Sequence, residues 1–90
     1  MAQELYNAIF NDICMLSFDN KIKTKELIIN KHKLILLNLT NKISTIEYFN
    51  KCAEEHKFIY ENDTYHWTSY FAGRRYNEYL LLIEILNEIN

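Results

Sequence analysis

In 90 residues the chain has no proline and a single glycine, Gly73. Tight turns and sheet corners draw heavily on those two residue types, so a many-stranded fold would lack its turn chemistry at almost every corner. Helices joined by short connections are the economical alternative. With 49% hydrophobic and 24% charged residues the chain has enough apolar material to fold. A chain this short hides only about 60% of the surface its unfolded form exposes, which leaves room for one domain spanning residues 1–90. Cys14 and Cys52 are expected to be reduced and to serve as small core hydrophobes. The opening segment, MAQELYNAIFNDIC, lacks the basic start and continuous apolar run of a secretory signal, which predicts a cytoplasmic protein. LILLNL and YLLLIEIL are too short to cross a bilayer, so no contact with a membrane is expected.

Four helices follow from the periodicity, and with short connections they predict an all-α antiparallel four-helix bundle. Leu5, Ile9, Ile13 and Leu16 form one stripe of a first helix ending near Ser17. Thr24 is placed to cap a second helix reaching about Thr40, with Ile28, Ile35 and Leu39 inward, thickened by Leu27, Leu34 and Leu36. The same segment also reads as two β-rich runs around Lys31-His32-Lys33. An α+β fold with a hairpin over 25–40 is therefore the alternative, disfavoured by the absence of glycine at the turn. Ser44 and Glu47 have capping-box spacing, and Ile43 and Tyr48 have staple spacing, opening a third helix that runs to about Tyr60. Its expected inner face is Ile46, Phe49, Ala53, His56 and Tyr60. Asn62 or Asp63 then caps a fourth helix from Thr64 to about Glu88, with the stripe Ala72, Tyr76, Tyr79, Ile83 and Leu86 flanked by Leu80 and Leu82. Gly73 inside that helix points either to a kink or close helix crossing, or to a tolerated surface glycine.

A net charge of −2 conceals an uneven distribution. Residues 20–42 hold six lysines against one acid, whereas residues 43–90 hold eight acids against four basic residues. A Lys-rich segment over 21–42 can track phosphates and would make the chain a small nucleic-acid-binding regulator. Two features weigh against it: no aromatic platform is interleaved with the lysines, and the rest of the domain repels a polyanion. Eight of the thirteen aromatics crowd between positions 58 and 79, more than a bundle of this size can bury. There Tyr65, His66, Trp67, Tyr70, Arg74 and Arg75 stand near Glu54, Glu55, Glu61 and Asp63, and Trp, Tyr and Arg dominate binding hot spots. The expected partner-binding residues are Glu54, Glu55, Glu61, Asp63, Tyr65, Trp67, Tyr70 and Arg74. The competing reading has the tyrosines wrapping the core edge with their hydroxyls in water.

Catalytic chemistry finds little footing in the chain, so no enzyme activity and no cofactor are expected. Cys52 and His56 are four apart and offer two metal ligands, short of the three or four that zinc takes. The acids lack a means of setting one carboxyl pKa above another. His32 reads as a hydrogen-bonded residue at the core edge, and Gly73 alone makes no phosphate loop.

The segment Leu37-Asn38-Leu39-Thr40-Asn41-Lys42-Ile43-Ser44-Thr45-Ile46-Glu47-Tyr48-Phe49 resembles the second-helix turn of small bacterial toxin-immunity proteins similar to the colicin D immunity protein. The resemblance lies in an apolar helix end, a Lys-Ile pair, a Ser or Thr, and a Glu-aromatic opening of the next helix. It implies a bacteriocin or contact-dependent growth inhibition immunity protein that blocks the active site of a cognate toxin domain, a nuclease. On that reading Glu54, Glu55, Glu61 and Asp63 enter a cationic cleft while Tyr65, Trp67 and Tyr70 exclude water around them. A phage or mobile-element protein that inhibits a host defence or transcription protein would share this size and composition. Closure of the exposed aromatics on a second copy, as a homodimer, is compatible with either reading.

Overall fold

The computed structural model describes residues 2–16 and 18–89, and of Phe18 the backbone only. Among these residues the fold is all-α, with helices α1 (Ala2–Ile13), α2 (Lys21–Lys31), α3 (Lys33–Leu37), α4 (Lys42–Asn62) and α5 (His66–Glu88), and a 3-10 turn at Phe18–Asn20. The hairpin alternative over 25–40 is thereby overturned, since 25–37 is helical apart from His32 and 38–40 form no strand. The expected four-helix count becomes five for the same reason: the second helix divides at His32. The His32 ring reaches α1, where Nε2 lies 2.7 Å from Asp12 Oδ2, and its backbone leaves helical geometry at φ −109°, ψ 23°.

That break also changes which residues face inward. A continuous helix would have turned Ile28 and Ile35 to one side, but Ile28 and Leu36 are buried while Leu27, Leu34 and Ile35 are exposed. α1 follows the expected stripe, with Leu5, Ile9 and Ile13 sealed and Leu16 packed against the core, although the helix ends at Ile13; the expected end at Ser17 lies outside the described residues.

α4 and α5 form one long antiparallel hairpin, 21 and 23 residues, each roughly 30–35 Å at 1.5 Å per residue. α1 runs alongside it, with Gln3 near Tyr48 and Cys14 beside Arg74, hence parallel to α4 and antiparallel to α5. Its bulky side chains bridge the gap: Tyr6 stacks on Tyr79 with centroids 5.2 Å apart, and Phe10 lies 4.9 Å beneath the Arg75 guanidinium. α2 crosses the far end of α5, where Lys21 and Lys25 pair with Glu84, and Lys25 also with Glu88 at 2.9 Å. Cations there oppose the negative pole of the α5 dipole, as does Lys42, which donates to the Ile89 carbonyl.

Capping differs from the sequence expectation throughout. α4 starts at Lys42, two residues before Ser44, and Ser44 and Thr45 both donate back to the Asn41 carbonyl instead of receiving backbone amides. Ile43 is exposed, so it does not staple Tyr48. Thr24 is buried inside α2, which begins at Lys21. α5 begins after Tyr65, and Asp63 accepts the Tyr65 amide at 2.8 Å in a turn ahead of the helix. At Gly73 a Cβ would stand 2.8 Å from the Tyr60 ring, so glycine there permits a close α4–α5 crossing.

Candidate protein-binding surface

The hairpin outruns the rest of the protein. The buried residues of α4 are Thr45, Phe49, Cys52 and Ala53, and those of α5 begin at Ala72. Between Glu54 and Phe71 no described residue is buried, although the stretch is helical except at 63–65. α1 stops at the level of Arg74, whose Nη2 donates to the Cys14 carbonyl at 2.7 Å. Beyond that clamp, among the described residues, α4 and α5 hold each other, through Tyr60 over Gly73 and the Ser69 hydroxyl donating to the Tyr60 carbonyl. The principal extents of 40 × 27 × 19 Å reflect this projection.

Aromatic side chains crowd the projecting end. Trp67 is 57% exposed and stacks on Phe71, 51% exposed, with centroids 6.4 Å apart; Tyr70 meets both edge-on. His66 sits against Trp67 at 5.4 Å, and Phe58, Tyr60 and Tyr65 are each more than half exposed. At roughly 150–250 Å² per aromatic side chain, these half-exposed rings leave several hundred Å² of apolar surface. A patch of that size matches the largest one a typical monomer exposes, which is often functional.

The acids occupy a different aspect of the hairpin. Glu54, Phe58 and Glu61 fall at i, i+4 and i+7 of α4, one helical face, opposite the His56–Tyr60 side that meets α5. Glu54, Glu55 and Glu61 are exposed and form no ion pair among the described residues, whereas Asp63 is half-buried and caps the turn. Of the eight residues expected at the site, Glu61, Tyr65, Trp67 and Tyr70 lie at the hairpin end. Glu54 and Glu55 lie about two turns lower, and Asp63 and Arg74 have structural partners. Phe71 was missed, though its spacing of four from Trp67 on a helix places the two together.

The buried polar chemistry is elsewhere. Glu78, 1% exposed, accepts the Tyr6 hydroxyl at 2.9 Å and the Arg75 guanidinium at 2.7 and 2.8 Å. Burial and the adjacent Glu78 carboxylate raise the Tyr6 phenol, and burial pushes Tyr79 up to about 12. The His56 ring donates to the Cys52 carbonyl at 2.8 Å, and both cysteines are free thiols. Among the described residues no group of three or more His, Cys, Asp or Glu is placed to hold a metal ion. An open groove of about 430 Å³ between α1 and α3 is lined by Leu5, Ala8, Leu34, Ile35 and Leu39, with Glu4 and Asn38 as its polar members. No helix among the described residues is long and apolar enough to cross a membrane.

No protein-family model matches the chain, and neither does any curated protein or solved structure.

Proposed function

We propose that the chain is an immunity protein, which binds a cognate bacterial toxin domain in the cytoplasm and neutralises it by blocking its nuclease active site. Binding runs through the projecting end of the α4–α5 hairpin. The observation that carries this reading is the cluster of unburied aromatics, with exposed Glu61 near it and Glu54 and Glu55 lower on α4, on an element that the protein's own core leaves uncovered. Trp and Tyr supply anchors, and the carboxylates supply attraction to a cationic cleft and speed encounter with it. No bond-making is asked of the protein. The Lys-rich segment offers less for a nucleic-acid role, because Lys21, Lys25, Lys31 and Lys42 are engaged with acids or a helix-end carbonyl.

The test is protection. The chain is co-expressed with any toxin C-terminal domain that a neighbouring reading frame is found to encode, and cell growth and nuclease inhibition by the purified pair are measured. Wild type should restore growth and inhibit at equimolar ratio. Changing Glu54, Glu55, Glu61 and Asp63 together to Gln should slow association and weaken inhibition. Undiminished inhibition by that variant would sink the active-site reading, and absence of any protection would sink the immunity reading.

A further inference from the structure

We infer that the exposed end of α5, Trp67 to Arg74, pairs with the same end of a second copy of this chain, antiparallel about a two-fold axis, each Arg74 guanidinium lying on the Trp67 ring of the other copy. This surface overlaps the one proposed above for a toxin but does not rest on that reading.

Trp67, Phe71, Arg74, Glu78 and Leu82 follow one another at helical spacings of three or four and so share one face of α5. α1 covers that face up to Arg74: Leu82 shares its core with Leu5 and Ile9, the Tyr6 hydroxyl meets Glu78, and the Cys14 carbonyl meets Arg74. Trp67 and Phe71 continue the face past the end of α1 and are half-exposed. On the covered part α1, running antiparallel to α5, sets Phe10 4.9 Å beneath the Arg75 guanidinium. The bare part carries the same two chemistries within itself, a ring at Trp67 and a guanidinium at Arg74, about 10 Å apart along the axis at 1.5 Å per residue. Arg74 is only half-buried by its contacts with the Cys14 carbonyl and the Tyr70 ring. A second α5 laid antiparallel, with the two-fold midway between positions 67 and 74, makes both ring–guanidinium contacts at once and sets Tyr70 against Phe71 of the other copy.

Charge favours a second copy over a partner of one sign. Over residues 54–75 the hairpin carries Glu54, Glu55, Glu61 and Asp63 against Lys57, Arg74 and Arg75. The bare face is itself flanked by both signs. Arg74 stands on α5, and on α4 Glu55 lies seven residues from Tyr48, whose hydroxyl meets Gln3 of α1, and so on the α1 side of that helix. A strongly basic helix meets Arg74 and a strongly acidic one meets Glu55, whereas the two-fold pairing keeps the two Arg74 side chains about 10 Å apart along the axis and gives each a ring. Trp67, Tyr70 and Phe71 expose about 300 Å² per copy at 150–250 Å² per full ring. Two copies thus hide about 600 Å² of ring surface, below the roughly 1,200–2,000 Å² of a stable complex. The dimer is accordingly a weak one, with a Kd of about 0.1 mM, and a tighter partner takes the rings from it.

The test is sedimentation equilibrium of the full chain from about 10 μM to about 1 mM, a range that brackets such a Kd. Emission of Trp67, the sole tryptophan, is followed over the same range. The average mass should rise from monomer toward dimer and the emission should shift to the blue in step. Phe71→Asp and Trp67→Ala should each weaken association at least about tenfold. Arg74→Gln, which keeps a donor for the Cys14 carbonyl but no guanidinium, should do the same. Leu34→Asp, in the α1–α3 groove, should associate as wild type does. Circular dichroism verifies that each variant stays folded. A chain still monomeric at the highest concentration would overturn the inference, as would undiminished association of Phe71→Asp or of Arg74→Gln. So would assembly beyond the dimer, because a two-fold contact closes on itself. Toxin protection by a chain that stays monomeric leaves the immunity proposal standing without this pairing, and a dimer without toxin protection does the reverse.

Discussion

Tyr6 and Glu78 lie 72 positions apart in the chain, and the Tyr6 hydroxyl donates at 2.9 Å to a Glu78 carboxylate that solvent barely reaches. The pair fixes the height at which α1 sits on α5, because only one pairing of the two helices brings hydroxyl, carboxylate and Arg75 together. Removing the hydroxyl with Tyr6→Phe should cost about 1 kcal/mol, a drop in Tm of about 4–8 °C for a domain of this size. Arg75→Ala strands the buried carboxylate and should cost about 3–5 kcal/mol. Urea titrations of the two variants check the order; equal losses would mean that Glu78 is compensated by some other group.

Gly73 should couple to Tyr60. In a helix interior Ala is favoured over Gly by about 1 kcal/mol, yet here the new Cβ meets the Tyr60 ring. Gly73→Ala should therefore stabilise the Tyr60→Ala protein more than it stabilises wild type, by at least about 0.5 kcal/mol in a double-mutant cycle. A cycle that closes without coupling would mean that the ring moves aside at no cost.

Acid should loosen the α1–α2 and α2–α5 seams. Hydrogen bonding to His32, then to Lys31, holds the Asp12 carboxyl below its ordinary range, and Lys25 does the same for Glu84. Because both folded values are depressed, the unfolded chain binds more protons in that window. The stability they contribute is present above the unfolded pKa and lost as pH falls through the folded one. Asp12→Asn should lower Tm at neutral pH and flatten the acid limb of a Tm–pH profile. At the alkaline end the sign reverses: Tyr6 and Tyr79 are raised, so their contribution is full below the ordinary tyrosine value and lost as pH climbs through the folded values. An acid limb unchanged by Asp12→Asn would remove Asp12 from this account.

Stability and binding should separate along the α5 stripe. Trp67→Ala and Phe71→Ala touch half-exposed rings and should shift stability by no more than about 0.5–1 kcal/mol. Leu82→Ala, on the same face but sealed, should cost about 2–5 kcal/mol. The tip variants should instead cost about 2 kcal/mol or more in affinity for a toxin partner, read by calorimetry. Tip variants that unfold the protein would show that the aromatics serve the core.

The helical class was legible from punctuation alone, since a chain without proline and with Gly73 as its single glycine has little with which to turn strands. The α1 stripe was legible because Leu5, Ile9 and Ile13 repeat at one period and pack against one neighbour layer. α2 and α3 were legible only in part: the polar Lys31-His32-Lys33 marks a break between two apolar runs, but its contact with Asp12, twenty positions away, is not a local signal. The inner face of α5 was half-read: Ala72 is buried and Tyr79 packs on Phe49 and His56 of α4, but the second inner face, which adds Glu78 and Ile85 to Leu82, carries a charged residue that pattern reading sends to solvent. Its burial is intelligible only once Tyr6 and Arg75 converge on it. The crowding of Tyr65, Trp67 and Tyr70 was visible as composition. What the chain could not disclose is where α1 ends relative to them, and that decides which rings stay bare.

Because the last turns of the hairpin hold, among the described residues, only each other, their amides should exchange with deuterium through local fraying far more readily than those around Leu82. A partner that seizes this end must therefore freeze it, and part of the association enthalpy will be spent on that ordering. Protection appearing there first, while the base of the hairpin is unchanged, would be the kinetic fingerprint of capture.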